Sequence, residues 1–292
     1  MAALAGWEAA PDRGRQSQGG AWLLPVAVPG TPRAVTVKLS APGGDGRLVA
    51  TVAGSLPAQD AVRVAEAITH RLALDLPTAP LLAAAEGDPP FAPVAAALRG
   101  FHPPLVTSTF EAACWTVVRQ RTPPAFAHAT MERLAAFLGR EVPPGDGGAP
   151  LRLFPVPTDL DDAARPALLA ATNNLRKVER LRGLADAFLG VDEAWLRTAP
   201  YDEAFAWLVR LPGLGPWSAE QVLWRGLGRY ERVPWLDTGA LAAVGAVYLR
   251  GLTPAKGTAR ELAERYGWSQ GLWLRYLKAY PRAVGSGGGA PA

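Results

Sequence analysis

The chain has 292 residues, of which 49% are hydrophobic, and a formal net charge of +4 at pH 7. That length favours two lobes over one small domain, and that apolar fraction suffices for a sizeable core. The single cysteine, Cys114, excludes an intrachain disulfide and a thiolate-bound zinc or iron–sulfur centre, while the mild basicity permits nucleic-acid binding without requiring it.

The N-terminal stretch MAALAGWEAAPDRGRQSQGG lacks the positive start and long apolar run of a signal peptide. Residues 1–20 and the tail GSGGGAPA, 285–292, have little to bury and are expected to be disordered. No stretch approaches the ~20 apolar residues of a membrane helix, so a cytoplasmic protein without a membrane partner is expected. From residue 21 the apolar period is two. Leu24, Val26 and Val28, then Val35, Val37 and Leu39, then Leu48, Ala50 and Val52 alternate with other residues, and PGTP and PGGDG separate the runs. This predicts a three-stranded antiparallel meander. A helix follows, with Ala61, Val64, Ala65, Ile68 and Leu72 on one face, and the two together make an α+β lobe over 21–98.

Beyond residue 99 the period is helical. TSTFEAACWTVVRQ opens with a capping box from Ser108 to Glu111 and places Phe110, Cys114, Val117 and Val118 inside. Further helices are predicted around 126–138, 163–172, 175–189, 202–210, 216–226, 239–248, 257–266 and 271–280, in an all-α lobe of two helical subdomains over 99–284. The overall class is α+β.

Within that lobe, LPGLGPWSAE (211–220) stops one helix at Gly213 and starts the next at Pro216, a residue favoured at the first helical position. Two readings stand. The turn is either a tight helix–helix connection, or a phosphate clamp in which bare glycine backbone and a helix N-terminus face an anion. Asp237 likewise precedes an apolar helical run, as a simple N-cap or as a carboxylate set to stabilise a cation on a sugar.

Taken whole, LPGLGPWSAEQVLWRGLGRYERVPWLDTGA (211–240) resembles the signature of the helix-hairpin-helix DNA glycosylases: a hairpin L-P-G-x-G-x-x-[ST]-A followed by Pro and an Asp about twenty residues further on. GFHPPLVTSTFEAACWTVVRQRT (100–122) is similar to that family's first large helix, and residues 153–190 to the stretch before the hairpin. In outline, the β-rich first lobe resembles the 3-methyladenine DNA glycosylase II branch, which repairs alkylated bases.

The resemblance assigns roles residue by residue. Asp237 matches the catalytic carboxylate, which would stabilise oxocarbenium character as the glycosidic bond breaks. Trp217 stands where lyase-type members carry a Schiff-base lysine, which implies a monofunctional enzyme, and it is either a base-pocket aromatic or a plug. Trp268 matches a second pocket aromatic, with Trp273 and Tyr266 close enough in sequence to compete. Arg121 matches the wedge position that enters the duplex gap, where an apolar residue is more usual. Gly213, Leu214 and Gly215 match the phosphate-contacting hairpin. The carbonyls of Val209, Leu211 and Gly213 match a monovalent cation site for Na or K, no cofactor being otherwise required.

The run NNLRKVERLRG (173–183) carries Arg176, Lys177, Arg180 and Arg182, read equally as a solvated face or as phosphate-neutralising. His70, His102 and His128 share no motif and read as structural, Cys114 as an inert core residue, and DLDD (159–162) as a helix cap. Three functions are weighed: a monomeric, nucleoid-associated glycosylase releasing an alkylated base from damaged double-stranded DNA; a glycosylase for an oxidised or mismatched base; and a non-catalytic DNA-binding module, for which Asp237 has no use.

Overall fold

A computed structural model describes residues 15–16, 21–41, 47–145 and 147–285. The expected meander is present. Strands β2 (Trp22–Ala27), β3 (Ala34–Ser40) and β4 (Val49–Val52) pair antiparallel in chain order, with Leu24 opposite Val37 and Val37 opposite Val52. Val37 and Leu39 are buried while Lys38 between them is exposed, as a period of two requires. A further strand, β1 (Arg15–Gln16), pairs with β2 inside the stretch expected to be disordered. The rest of that expectation (1–14, 17–20 and 286–292) and the PGGDG turn at 42–46 lie outside the described residues.

Helix α1 (Ala58–Arg71) covers this sheet with Val64 and Ile68. Two short helices follow, α2 (Ala79–Glu86) and α3 (Ala92–Ala97). Neither is marked in the sequence by periodicity, because each is mostly alanine and too brief to show a face. Helix α4 (Thr109–Arg119) starts as predicted: Ser108 Oγ accepts from Glu111 N at 3.1 Å. The reciprocal bond differs, since Glu111 Oε2 accepts from Thr107 N at 3.3 Å. After α5 (Pro124–Leu138), the Pro/Gly linker forms a small hairpin of β5 (Glu141–Val142) and β6 (Leu151–Arg152). The DLDD segment forms part of a 3-10 turn (Pro157–Leu160) and does not cap the helix that follows, whose N-cap is Ala164 without a side-chain bond: Asp159 accepts from Val156 N and Asp161 from Ala164 N.

The remaining helices are α6 (Arg165–Thr172), α7 (Leu175–Leu189), α8 (Glu193–Thr198), α9 (Tyr201–Val209), α10 (Pro216–Gly226), α11 (Thr238–Tyr248), α12 (Lys256–Glu264) and α13 (Gln270–Gly285). Among the described residues no helix is long and apolar enough to cross a membrane.

Their side chains build two cores. The first joins the sheet and α1 to α4–α10, through residues such as Leu24, Ile68, Val117, Leu181 and Val222. The second joins α11–α13 to α2 and α3, through Leu81, Phe91, Val94, Val244, Leu272 and Trp273. The boundary expected at residue 98 therefore does not follow the packing. Residues 79–97 leave the β-rich lobe and pack with the C-terminal helices, against which Phe91 meets Tyr266 edge-on at 5.3 Å. Helix α10 serves both cores, giving Ala219, Val222 and Leu223 to the first and Trp224 to the second.

The second core closes around a buried acid. Asp88, 3% exposed, accepts from Tyr248 Oη at 2.7 Å and Tyr266 Oη at 2.8 Å, and Trp273 Nε1 donates to Tyr248 Oη at 3.0 Å. Burial pushes both phenols well above the usual tyrosine range. Both hydroxyls therefore remain donors at any ordinary pH. Asp88→Ala would leave them unpaired in the interior and is expected to cost about 2–4 kcal/mol, lowering the melting midpoint by roughly 5–10 °C. A thermal melt of the variant checks this.

Candidate active site

The hairpin between α9 and α10 is built on a left-handed residue. Gly213 has φ +81°, open to glycine at little cost, and Gly215 is the extended N-cap of α10, with Pro216 as its first helical residue. Leu214 is the anchor of the turn: its side chain is buried in the first core and its N–H donates to Leu211 O at 3.1 Å. That amide is committed within the turn. The N–H groups of Gly213 and Gly215 have no backbone acceptor among the described residues.

The loop after α4 is tied to this turn. Gln120 Nε2 donates to Gly213 O at 2.6 Å, and Arg180 Nη1, reaching from α7, donates to Gln120 Oε1. Arg180 lies so close over the turn that a methyl group added at Gly213 would stand 2.5 Å from its Cδ. On the other side of the loop, Lys177 Nζ donates to Val118 O at 2.7 Å and to Thr122 Oγ1 at 2.5 Å. Arg121, the expected wedge, sits between these two anchors, exposed and at φ +50°. A left-handed arginine costs about 1 kcal/mol, and the fixed neighbours hold it there. The basic run of α7 is therefore neither uniformly solvated nor uniformly free for phosphate: Lys177 and Arg180 organise the loop, Arg182 pairs with Asp162 at 2.5 Å, and Arg176 is exposed.

These contacts bear on the expected cation. Of the three carbonyls, Leu211 O accepts from Leu214 N and Gly213 O is aimed at the Gln120 amide. The permanently charged Arg180 side chain packs on the same turn. A sodium or potassium ion at this turn would share Gly213 O with the Gln120 amide and stand near the Arg180 guanidinium.

Asp237 stands on the loop that follows α10. It is the N-cap of α11, where Oδ1 accepts from Gly239 N at 2.8 Å. Lys278 of α13 reaches the same carboxylate, with Nζ 3.0 Å from Oδ1 and 2.9 Å from Oδ2. Immediately before Asp237, the Leu236 backbone hydrogen-bonds to Glu220 of α10. Burial, reinforced by Asp237, pushes the Glu220 carboxyl up, and its Oε2 has no hydrogen-bond partner.

Of the two expected pocket aromatics, Trp217 is partly buried on the first turn of α10, and Trp268 is 45% exposed on a one-turn 3-10 helix (Gly267–Ser269). Their competitors are settled by packing: Trp273 is fully buried and stacks on Tyr266 at 5.4 Å, so both belong to the second core. The histidines are embedded, His102 on Ala73 O and His128 against Trp115, while burial lowers His70. Cys114 is fully buried, and burial pushes its thiol well up, out of reach of reaction.

No family model matches the sequence. A DNA-3-methyladenine glycosylase of Bacillus subtilis (strain 168) is 24% identical over 217 residues, 71% of this chain and 67% of that protein. The structure is similar to that of a 3-methyladenine DNA glycosylase from Archaeoglobus fulgidus, with a TM-score of 0.76 and 25% identity over 91% of this chain and 88% of the other. It is also similar in fold to an 8-oxoguanine glycosylase/lyase of Clostridium acetobutylicum in complex with DNA, with a TM-score of 0.67 and 14% identity over 93% and 88% of the two chains. The chain has the fold of the helix-hairpin-helix DNA glycosylases.

Within this fold the structure ties the loop that carries Arg121 to Gly213 through Gln120, and it sets Asp237 at the start of α11. Sequence reasoning missed Lys278, Glu220 and the Gln120–Arg180 bridge. Each works through a contact distant in sequence, and only Glu220, one helical turn after Trp217, left a local sign. If Arg180 supplies the positive charge at the hairpin, Arg180→Ala should weaken duplex binding about tenfold and lower the slope of log K against log salt by about one. Replacing Na with K at constant ionic strength should leave wild-type affinity within about twofold. Fluorescence anisotropy across a salt series measures both.

Proposed function

We propose that this protein is a monofunctional DNA glycosylase that flips an alkylated base of the 3-methyladenine type out of double-stranded DNA and hydrolyses its N-glycosidic bond. The observation that carries the reading is the Asp237 carboxylate, held at the N-terminus of α11, the helix that follows the hairpin and α10. The Bacillus subtilis and Archaeoglobus fulgidus proteins, both 3-methyladenine glycosylases, support the same substrate class.

In this reading the N–H groups of Gly213 and Gly215 hold a phosphate at the N-terminus of α10, and Arg180 adds the charge that an ion would otherwise bring. Arg121 fills the gap left by the flipped nucleotide. Trp217 and Trp268 offer π faces to the extruded base, which an N3- or N7-alkyl group makes cationic and electron-poor. Such a base leaves without a strong acid. Asp237 stabilises the positive charge that develops on the sugar, and water then completes hydrolysis. With Trp217 in place of a hairpin lysine, no amine is set at the hairpin to form an imine and cut the strand. The protein acts as a monomer on nucleoid DNA in the cytoplasm.

The test is release of free base from duplex DNA containing 3-methyladenine, with strand breaks scored before and after alkali. Wild type should release base and leave breaks only after alkali. Asp237→Asn should lower the rate by about 10²–10³-fold and leave duplex affinity nearly unchanged. Breaks without alkali would remove the monofunctional assignment, and tight binding without any release would remove the enzyme.

A further inference from the structure

The contact that this function does not use is the one between Lys278 and Asp237. The carboxylate does not need it for support, because the Gly239 N–H at 2.8 Å and the N-terminus of α11 already hold the anion. Yet the ammonium meets both oxygens, at 2.9 and 3.0 Å, in a pair whose side chains are 33% exposed for Lys278 and 16% for Asp237. Position 239 is glycine, and this is what admits the lysine: a β-carbon there would lie 3.3 Å from Nζ and 3.2 Å from Oδ1. Lys278, while paired with Asp237, also lies near an aromatic ring that a second cation covers. Its Nζ stands 5.7 Å from the centre of the Trp224 ring, the ring over which Arg275 is stacked at 5.0 Å one helical turn earlier on α13.

The deglycosylation proposed above puts a positive charge on the sugar against the same two oxygens. A lysine already there cancels the field that the sugar would feel, and two cations cannot occupy one place on a carboxylate. We infer that Lys278 is a built-in counter-ion that takes the position of the substrate's positive charge in the free protein and gives up Asp237 when a flipped nucleotide arrives. It is thus a specificity-determining residue: it makes Asp237 available only to a ligand able to displace an ammonium, and it penalises cationic ligands that fail to do so. The inference rests on the glycosylase reading.

Binding to two abasic duplexes tests it without turnover. One carries a pyrrolidine ring, whose protonated nitrogen mimics the sugar cation, and the other carries neutral tetrahydrofuran. Lys278→Met, which keeps the length of the apolar stem, should bind the pyrrolidine duplex about tenfold tighter than wild type, the size of one charge–charge interaction at a half-buried site. Its affinity for the tetrahydrofuran duplex should stay within about twofold, and Lys278→Arg should behave as wild type on both. An unchanged ratio between the two duplexes would overturn the inference. So would weaker binding to both together with a lowered melting temperature, since Lys278 would then be a supporting residue. A borohydride-trapped protein–DNA adduct that disappears in Lys278→Met would overturn it too, by making the lysine a nucleophile. If wild type prefers neither abasic duplex to undamaged DNA, the glycosylase reading fails first, and with it the inference.

Discussion

Helix α10 is buried in both cores at once, and the geometry of the site depends on that. Ala219, Val222 and Leu223 lie in the first core, while Trp224 crosses into the second and donates to Gly271 O at 3.1 Å at the start of α13. The N-terminus of α10 is the hairpin turn, and Glu220 on its first turns holds the backbone just before Asp237. One rigid rod therefore fixes the hairpin turn, the approach to the carboxylate and the helix that carries Lys278. A side chain as large as Trp224, worth several kcal/mol when removed from a core, gives little room for these parts to drift. Positioning at this level is what chemistry on a flipped nucleotide demands.

The charges are arranged with equal economy. The rim carries cations, Arg180 on the turn and Arg121 beside it, which suits a polyanion approaching from solvent. The interior carries the anion, and its field is modulated from two sides. Lys278 opposes the Asp237 charge, and Glu220, pushed up by burial, reduces the competing negative charge nearby when it holds a proton. The loop residue Arg121 spends about 1 kcal/mol of backbone strain at a place where a side chain must stand clear of the surface.

What could be read from sequence was what is local. The strands β2–β4, the capping of α4 by Ser108, the helix–turn–helix at 211–226 and the N-cap at Asp237 all depend on residues a few positions apart, and all are present, although burial alternates only within β3: Leu23 to Val26 of β2 are all buried and Val49 to Thr51 of β4 all exposed. What could not be read was the long-range partnership. Leu81, Phe91 and Val94 are as apolar as the residues around them, so nothing in their spacing told that they pack against α11–α13 instead of the sheet. Trp268 and Trp273 differ in the end only because one faces solvent and the other stacks on Tyr266. Lys278 lies 41 residues from Asp237, beyond any periodicity.

The hairpin cation shows the same limit from the other direction. A pattern of backbone carbonyls is a property of the turn alone, and the turn at 211–215 has it. Whether an ion can sit there depends on what leans on the turn from elsewhere. Here a glutamine from the loop after α4 takes the Gly213 carbonyl, and an arginine from α7 brings a charge that, unlike a bound ion, cannot dissociate. Ion and guanidinium are alternative solutions to one problem, that of drawing a phosphate to a backbone turn. A chain that fixes its cation covalently gains a clamp indifferent to ion supply. In return, the conformations of Gln120, Arg121 and Gly213 become one coupled unit.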